Sequence, residues 1–197
     1  MPAADPRVVA VNLAHVIETP VPTRGERRDA KPTRTGIDKR PVQGPVQVEP
    51  LGLVGDAVLD TANHGGTLQA VYAYALEDQE WWTRELGEEL DRPITPGSFG
   101  ENLTVAGVAV NDARVGERWT IGSVVLEVTA PRVPCSTFAG FIGLRGWVRR
   151  FALAERPGAY LRVTTPGTLQ AGEAVAVTPG PPHAPTIREM FAAYYRR

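Results

Sequence analysis

The chain has 197 residues, of which 43% are hydrophobic and 22% charged, so it is long enough for one domain with its own core and short for two. Its formal net charge of -1 gives no electrostatic reason to expect a nucleic acid or an anionic membrane as a partner. The single cysteine excludes an intrachain disulfide, and the sequence predicts neither a signal peptide nor a membrane span of roughly 18 apolar residues, so we expect a cytoplasmic protein.

The first part of the chain predicts short strands separated by turn-forming segments. RVVAVNLAHVI, over 7–17, is rich in β-branched residues and predicts a buried strand. The polar, Pro- and Gly-rich segment 19–36 predicts a long loop. One or two strands are expected over 45–60, and LQAVYAYAL, over 68–76, is typical of another.

A helix and a hairpin are expected in the middle of the chain. Acidic residues crowd the start of EDQEWWTRELGEEL, over 77–90, which predicts a helix that Gly87 ends. ENLTVAGVAV, over 101–110, is strand-like. ERWTIGSVVLEVTA, over 117–130, predicts a hairpin whose turn lies at or near 121–123.

The last part of the chain predicts helical segments around two further strands. Residues 138–157 have helical apolar spacing interrupted by glycines, and 186–195 predict a short terminal helix. Strands are expected over 159–165 and 173–179. Eight or so short strands, two or three helices and no regular β-α-β alternation favour a mostly-β barrel with a few peripheral helices.

Four stretches combine polar residues with glycine or proline in a way that is unusual for loop filler. They are TGIDKRPV (35–42), GDAVLDTANHGG (55–66), PGSFGENLT (96–104) and PRVPC (131–135). Each is also compatible with an ordinary structural role. Adjacent lysine and arginine usually form a solvated surface patch, and a lone cysteine is more often buried and inert than reactive.

Taken together, the four stretches predict a pocket for an anion that carries a soft metal. A thiol among cations is stabilised as the thiolate, and thiolate prefers soft or borderline metal ions over magnesium or calcium. The cysteine is Cys135. The expected cations and neutral hydrogen-bonding groups are Lys39, Arg40, Arg132, His64, Gly100 and Asn102.

Two alternative hypotheses involve some of the same residues. Asp56, Asp60 and His64 are conceivable ligands of a divalent metal, although the aspartates more simply cap turns and position the His-Gly-Gly loop. Cys135 and His64 also suggest a cofactor-free thiol hydrolase. That hypothesis is the weakest, because nothing in the sequence marks an orienting carboxylate or an oxyanion hole.

In their order along the chain, the motifs resemble the MOSC domain family, and more narrowly its stand-alone bacterial YiiM-type branch. The resemblance rests on TGIDKRPV, GLVGDAVLDTANHGG followed by AVYAY, SFGENLT and APRVPC, with PGAYLRV and GEAVAV near the end. It runs from about residue 7 to 178. What it implies is a closed β-barrel of the pyruvate-kinase type with a cleft for the molybdenum cofactor, molybdopterin.

The resemblance also implies roles for individual residues. Cys135 corresponds to the cysteine that ligates the molybdenum, so it is both the metal ligand and the catalytic residue. Lys39, His64 and Arg132 correspond to groups that neutralise the pterin phosphate or line its pocket, with Arg40 beside them. A last part of the cofactor-binding set matches the family's GEN stretch and comprises Gly100, Glu101 and Asn102.

The associated activity is two-electron removal of oxygen from N-hydroxylated compounds such as hydroxylaminopurines and amidoximes. The proton donor is open among Glu101, Asp60 and His64. We expect no haem, flavin or iron–sulfur cluster, since the sequence lacks a cluster-binding cysteine set and a G-x-G-x-x-G motif, so a reductase needs an external electron-transfer protein. The alternative is a non-catalytic carrier or delivery module for the cofactor or for sulfur.

We assign 1–178 to the β-barrel domain and 179–197 to a Pro-rich linker with a short helix. YiiM-type proteins commonly continue into a small helical bundle, whereas only the predicted helix over 186–195 follows the linker here. Substrate choice or docking of the electron donor is therefore expected to differ. The oligomeric state is open.

Overall fold

The computed structural model describes residues 5–19, 33–62 and 64–195. Its first strands are β1 (Arg7–Ala14), β2 (Ile17–Thr19), β3 (Thr33–Thr35), β4 (Lys39–Pro41), β5 (Val46–Glu49), β6 (Gly52–Leu53), β7 (Val71–Ala75) and β8 (Leu103–Ala106). The later strands are β9 (Arg118–Ile121), β10 (Val124–Pro131), β11 (Ala159–Thr165), β12 (Gly167–Leu169) and β13 (Val175–Thr178). The helices are α1 (Leu76–Leu86), α2 (Ser136–Ile142), α3 (Trp147–Ala154) and α4 (Ile187–Tyr195).

Most of the predicted long loop over 19–36 lies outside the described residues. Its last part, however, is not a loop, because β3 pairs with β2 as a short antiparallel ladder. The strands β4 and β12 were not predicted either. Each is only three residues long, too short for an alternation of polar and apolar residues to register in the sequence.

Eight strands form one sheet in the order β13-β9-β10-β11-β7-β8-β1-β4. Its neighbours run antiparallel except β7 and β8, which are parallel because helix α1 connects them as a crossover. The predicted hairpin over 117–130 is confirmed: β9 pairs with β10 across the turn at Gly122 and Ser123. Helix α1 is confirmed too, with Gly87 at its C-cap at φ 51°.

The closed barrel expected from the resemblance is not present as an unbroken ring of paired strands within the described residues. The sheet keeps two edges, β13 and β4. It nevertheless bends round on itself, since an isolated β-bridge joins Arg7 of β1 to Ala174, just before β13. The backbone of Val8 also exchanges hydrogen bonds with Gly172 and Glu173.

Two apolar clusters hold the molecule together. The first fills the interior of the bent sheet and includes Val11, Val71, Leu103, Leu126 and Leu161, all fully buried. The second is aromatic and packs the helices against the sheet; it contains Trp82, Phe99, Phe138, Trp147, Phe151 and Phe191. Large aromatic side chains bury much surface each, so this second cluster fixes the helices next to the end of β10.

Helix α4 belongs to the same body as the sheet. Its Phe191 is fully buried and packs edge-on against Phe151, with 6.2 Å between the ring centroids. The backbone N–H of Ile187 donates to the carbonyl of Ala113. Within the described ranges, no helix is long and apolar enough to cross a membrane.

Candidate functional site

Cys135 lies where strand β10 gives way to helix α2. The strand ends at Pro131, and Cys135 is the N-cap residue of the helix that starts at Ser136. The backbone N–H of Phe138 donates a hydrogen bond to the Cys135 sulfur. The thiol is partly exposed and lines a cavity of about 210 Å³. It therefore faces a cavity while packing against the aromatic cluster.

Two cationic side chains adjoin the thiol. Burial by itself raises the pKa of Cys135, but a hydrogen bond with His64 and the charge of Arg132 outweigh it and lower that pKa from 9.0 to about 6. The same hydrogen bond raises the pKa of His64, against the opposing effect of partial burial. Near neutral pH the arrangement therefore favours the thiolate form of Cys135, hydrogen-bonded to His64.

Arg132 is a buried cation that lacks a carboxylate partner among the described residues. Its side chain is 6% exposed, and its guanidinium stacks over the Phe138 ring at 3.7 Å from the centroid. One nitrogen, Nη1, donates to the carbonyl oxygen of Phe99 at 2.6 Å. In the part of the chain that the structure describes, no carboxylate forms an ion pair with Arg132. Its nearby counter-charge is the Cys135 thiolate, so the position suits an anionic ligand that binds beside that sulfur.

Lys39 also lines the cavity, but its charge is already matched. Its Nζ lies 2.6 Å from both carboxylate oxygens of Asp56, and the two side chains are only 8% and 9% exposed. Burial lowers the pKa of Lys39 although the Asp56 carboxylate opposes that effect. Asp56 in addition accepts hydrogen bonds from the backbone N–H of Ala14 and from Asn102 Nδ2, each at 2.8 Å.

The GEN stretch divides between the cavity and the interior. Gly100 and Asn102 line the cavity, and Asn102 Oδ1 accepts the backbone N–H of Tyr72. Glu101 is fully buried and does not line it. Its carboxylate accepts hydrogen bonds from the backbone of Gly97 and Phe99 and from the side chains of Gln79 and Thr104. Burial raises the pKa of Glu101 despite these bonds. Glu101 therefore stabilises the loop that contains Gly97 and Phe99 from the interior side, without facing the cavity.

Arg40 lies away from the predicted pocket. Its side chain is exposed and pairs with Asp38, with 2.8 Å between Nη2 and Oδ2. It is not among the residues that line the cavity. The reason is local, because Lys39 and Arg40 are neighbours in strand β4 and successive strand side chains point to opposite faces.

The conceivable divalent site at Asp56, Asp60 and His64 does not assemble. All three residues line the cavity, but Asp56 is bound to Lys39. No group of three or more His, Cys, Asp and Glu side chains able to hold a metal ion occurs among the described residues. A metal at Cys135 must therefore arrive with ligands of its own. The His64-Gly65-Gly66 turn has the unusual backbone expected of it, with φ of 83° and 77° at the glycines.

Several residues that line the cavity were not predicted from the sequence. Tyr72 of β7 and Tyr160 of β11 stand opposite each other in the sheet, and burial raises the pKa of both. Gln69 also contributes, and its buried Oε1 has no hydrogen-bond partner among the described residues. The two tyrosines lie in AVYAY and PGAYLRV, which are among the motifs that carried the family resemblance. Their presence in those motifs was the available sequence signal.

Comparison with known proteins gives one family match and several relatives. The model of the MOSC domain matches residues 60–176. The uncharacterized protein YflK of Bacillus subtilis (strain 168) is 35% identical over 144 residues, which cover 73% of this chain and 63% of YflK. Protein YiiM of Escherichia coli (strain K12) is 33% identical over 107 residues, covering 54% of this chain and 46% of YiiM. The chain thus spans less than two thirds of either relative.

Solved structures agree with the sequence comparison. The crystal structure of YiiM from Geobacillus stearothermophilus matches with a TM-score of 0.73 and 26% identity. The match covers 96% of this chain and 84% of that YiiM chain. The crystal structure of YiiM from Escherichia coli matches with a TM-score of 0.69 and 24% identity, over 83% of this chain and 75% of that YiiM chain. At this identity the match supports the fold alone.

Proposed function

The chain belongs to the MOSC domain family, and on that premise we propose that it binds the molybdenum cofactor at Cys135 and reduces N-hydroxylated compounds with electrons from a separate electron-transfer protein. Membership associates the chain with molybdenum-cofactor binding. The reductase activity, its substrates and its electron donor are the further steps of the proposal.

One observation carries the proposal: a thiol with its pKa lowered to about 6 faces a cavity beside His64 and Arg132. Thiolate is the form of cysteine that binds soft metal centres. Arg132 offers a buried positive charge that no described carboxylate neutralises, as a cofactor with a phosphate requires. Lys39 is bound by Asp56, so we assign this pair, which we call the cavity floor, to shaping the cavity. We assign binding of the anion to Arg132.

The donor set of the cavity fits this cofactor. The described chain supplies one thiolate and no cluster of further metal ligands, which suits a metal whose other sulfur ligands come from the pterin. The Oε1 of Gln69, which has no hydrogen-bond partner among the described residues, is a buried acceptor available to an N–H of a ring system. We therefore expect Cys135 to hold the metal, Arg132 the anionic end, and Gln69 and Asn102 the polar edge.

The proposed reaction breaks the N–O bond of the substrate. An N-hydroxylated group takes up two electrons and two protons, and yields the corresponding N–H compound and water. When bound, the cofactor would supply a centre that changes oxidation state by two, a role that the side chains of this protein do not fill. His64 lines the cavity beside Cys135, whereas Glu101 is buried and does not line it, so we assign proton delivery to His64 and not to Glu101.

Molybdenum content tests the binding step. The wild type and Cys135→Ala are expressed with molybdate in a host that makes the cofactor, and the metal is measured per chain. We expect near-stoichiometric molybdenum in the wild type and loss in the variant, while Arg40→Gln, outside the cavity, retains it. Molybdenum in neither protein contradicts the proposal and leaves Cys135 as an ordinary thiol.

Turnover separates a reductase from a carrier. Loaded wild-type protein is mixed with an amidoxime and a chemically reduced viologen dye, and the amidine product is quantified. A reductase forms amidine in proportion to dye oxidised. Protein that retains molybdenum but forms no amidine is instead a carrier or delivery module for the cofactor.

A further inference from the structure

Part of the cavity lining is apolar and open to solvent. Val58 and Leu59 both line the cavity, yet they are 43% and 45% exposed. Residues that line a cavity and also face solvent lie where it opens. We call these two side chains the apolar lip. The metal, the anion and the proton are all assigned to other residues, so the lip is unused by the proposed function.

The lip is held in place at both ends. Before it, Asp56 is fixed by Lys39, Asn102 and the backbone of Ala14. After it, the backbone N–H of His64 donates to the carbonyl of Asp60 at 3.0 Å. The segment is thus tied to the cavity floor on one side and to the thiol-binding histidine on the other.

Two glycines let this segment pack closely. A Cβ at Gly36 would lie 2.2 Å from the carbonyl oxygen of Ala57, the residue before the lip, so only glycine allows that approach. A Cβ at Gly65 would meet Val58 Cγ1 at 3.3 Å, and the glycine has φ of 83°. The turn carrying His64 therefore packs directly on Val58. The same backbone arrangement sets both the lip and the histidine beside the thiol.

We infer that the lip selects the body of the substrate: it favours N-hydroxylated groups carried on an apolar ring over the same groups carried on a small body. This rests on the proposed function, which places the reacting N–OH group near Cys135. Exposed apolar side chains gain free energy when an apolar surface covers them, in proportion to the area removed from water. A ring reaching from the reacting group to the opening covers Val58 and Leu59, and a methyl group does not.

Two amidoximes separate the body from the reacting group. Benzamidoxime and acetamidoxime carry the same N–OH function, one on a phenyl ring and the other on a methyl group. The lip variants are Leu59→Asn and Val58→Thr, which nearly keep side-chain size and remove apolar character. Matched controls are Leu51→Asn and Val54→Thr, since Leu51 and Val54 are 69% and 49% exposed and do not line the cavity.

For Leu59→Asn we expect kcat/KM for benzamidoxime to fall about tenfold, mostly through KM, the lower range for loss of an apolar contact. Acetamidoxime should change by less than about twofold, and the controls should match the wild type with both substrates. Equal changes for the two amidoximes, or none for either, would overturn the inference.

Calorimetric binding gives a readout that does not depend on turnover. Without an electron donor the loaded protein binds benzamidoxime but cannot reduce it. We expect Leu59→Asn to weaken that binding by a similar factor and Leu51→Asn to leave it unchanged. Selective binding without amidine formation supports the lip and contradicts the reductase. Amidine formation with unselective binding supports the reductase and contradicts the lip.

Discussion

Two buried cations face one cavity, and they differ in what surrounds them. Lys39 on the floor meets the carboxylate of Asp56, which also binds Asn102 and the backbone of Ala14. Arg132 and Cys135 form the part of the lining that we call the wall. The neighbours of Arg132 there are a carbonyl, an aromatic face and the Cys135 thiol. The Lys39 ammonium is paired with a carboxylate and serves the fold, whereas Arg132 has no carboxylate partner among the described residues and is available to an anionic ligand. A cation in a cavity is therefore not by itself a binding group.

The largest effect on stability is expected on the floor. Asp56→Asn leaves the Lys39 ammonium buried without its counter-ion, which costs about 3–5 kcal/mol in the free energy of unfolding. Urea unfolding of the cofactor-free protein measures it. Combining Asp56→Asn with Lys39→Met should recover most of the loss, because both charges are then gone. Full stability in the single variant would contradict the assignment of this pair to the fold.

The wall should respond in the opposite way. Arg132→Met removes a buried charge that has no described carboxylate partner, its contact with the Phe138 ring and one hydrogen bond to Phe99, so we expect a change of no more than about 2 kcal/mol in unfolding free energy. Molybdenum per chain should instead fall roughly tenfold or more, since charge-assisted hydrogen bonds to the anion are lost. Arg132→Lys is the control that keeps the charge and should retain part of the metal. A stability loss as large as that of Asp56→Asn would contradict this difference, because Arg132 would then serve the fold as the Lys39–Asp56 pair does.

The thiol gives a pH-dependent reading of the wall. The Cys135 pKa is lowered from 9.0 to about 6, so its ionisation contributes stability that is complete above about pH 9 and is lost as the pH falls through about 6. In cofactor-free protein, the rate of alkylation by iodoacetamide should follow thiolate and fall by half near pH 6. His64→Gln weakens the leading interaction that lowers this pKa, so the midpoint should move up. An unchanged midpoint would show that His64 does not act on the thiol.

The smallest effect is expected outside the cavity. Arg40→Gln changes an exposed side chain that pairs with Asp38. Surface ion pairs contribute little, so the unfolding midpoint in urea should match the wild type. Molybdenum content should also be unchanged. Loss of the metal in this variant would restore Arg40 to the cofactor-binding set predicted from the sequence.

Local patterns were enough for part of the molecule. The β9–β10 hairpin follows from its β-rich flanks around Gly122, and helix α1 from its acidic start and Gly87 at its end. The order of the four motifs was enough to identify the MOSC domain family, which the comparisons confirm. Arg132 and Cys135 lie three residues apart at the end of one strand, so their proximity could be expected from the sequence alone.

Tertiary structure decided which polar residues face the cavity. Asp56 reaches Lys39 and Asn102 only because β1, β4 and β8 lie side by side, an arrangement set by pairing between distant segments. Strand alternation then turns Arg40 outward. The same sheet places Tyr72 and Tyr160 side by side, with 5.2 Å between their ring centroids. A sequence determines which groups are available and what local structure they prefer, but the charge each one keeps depends on neighbours that only the folded chain supplies.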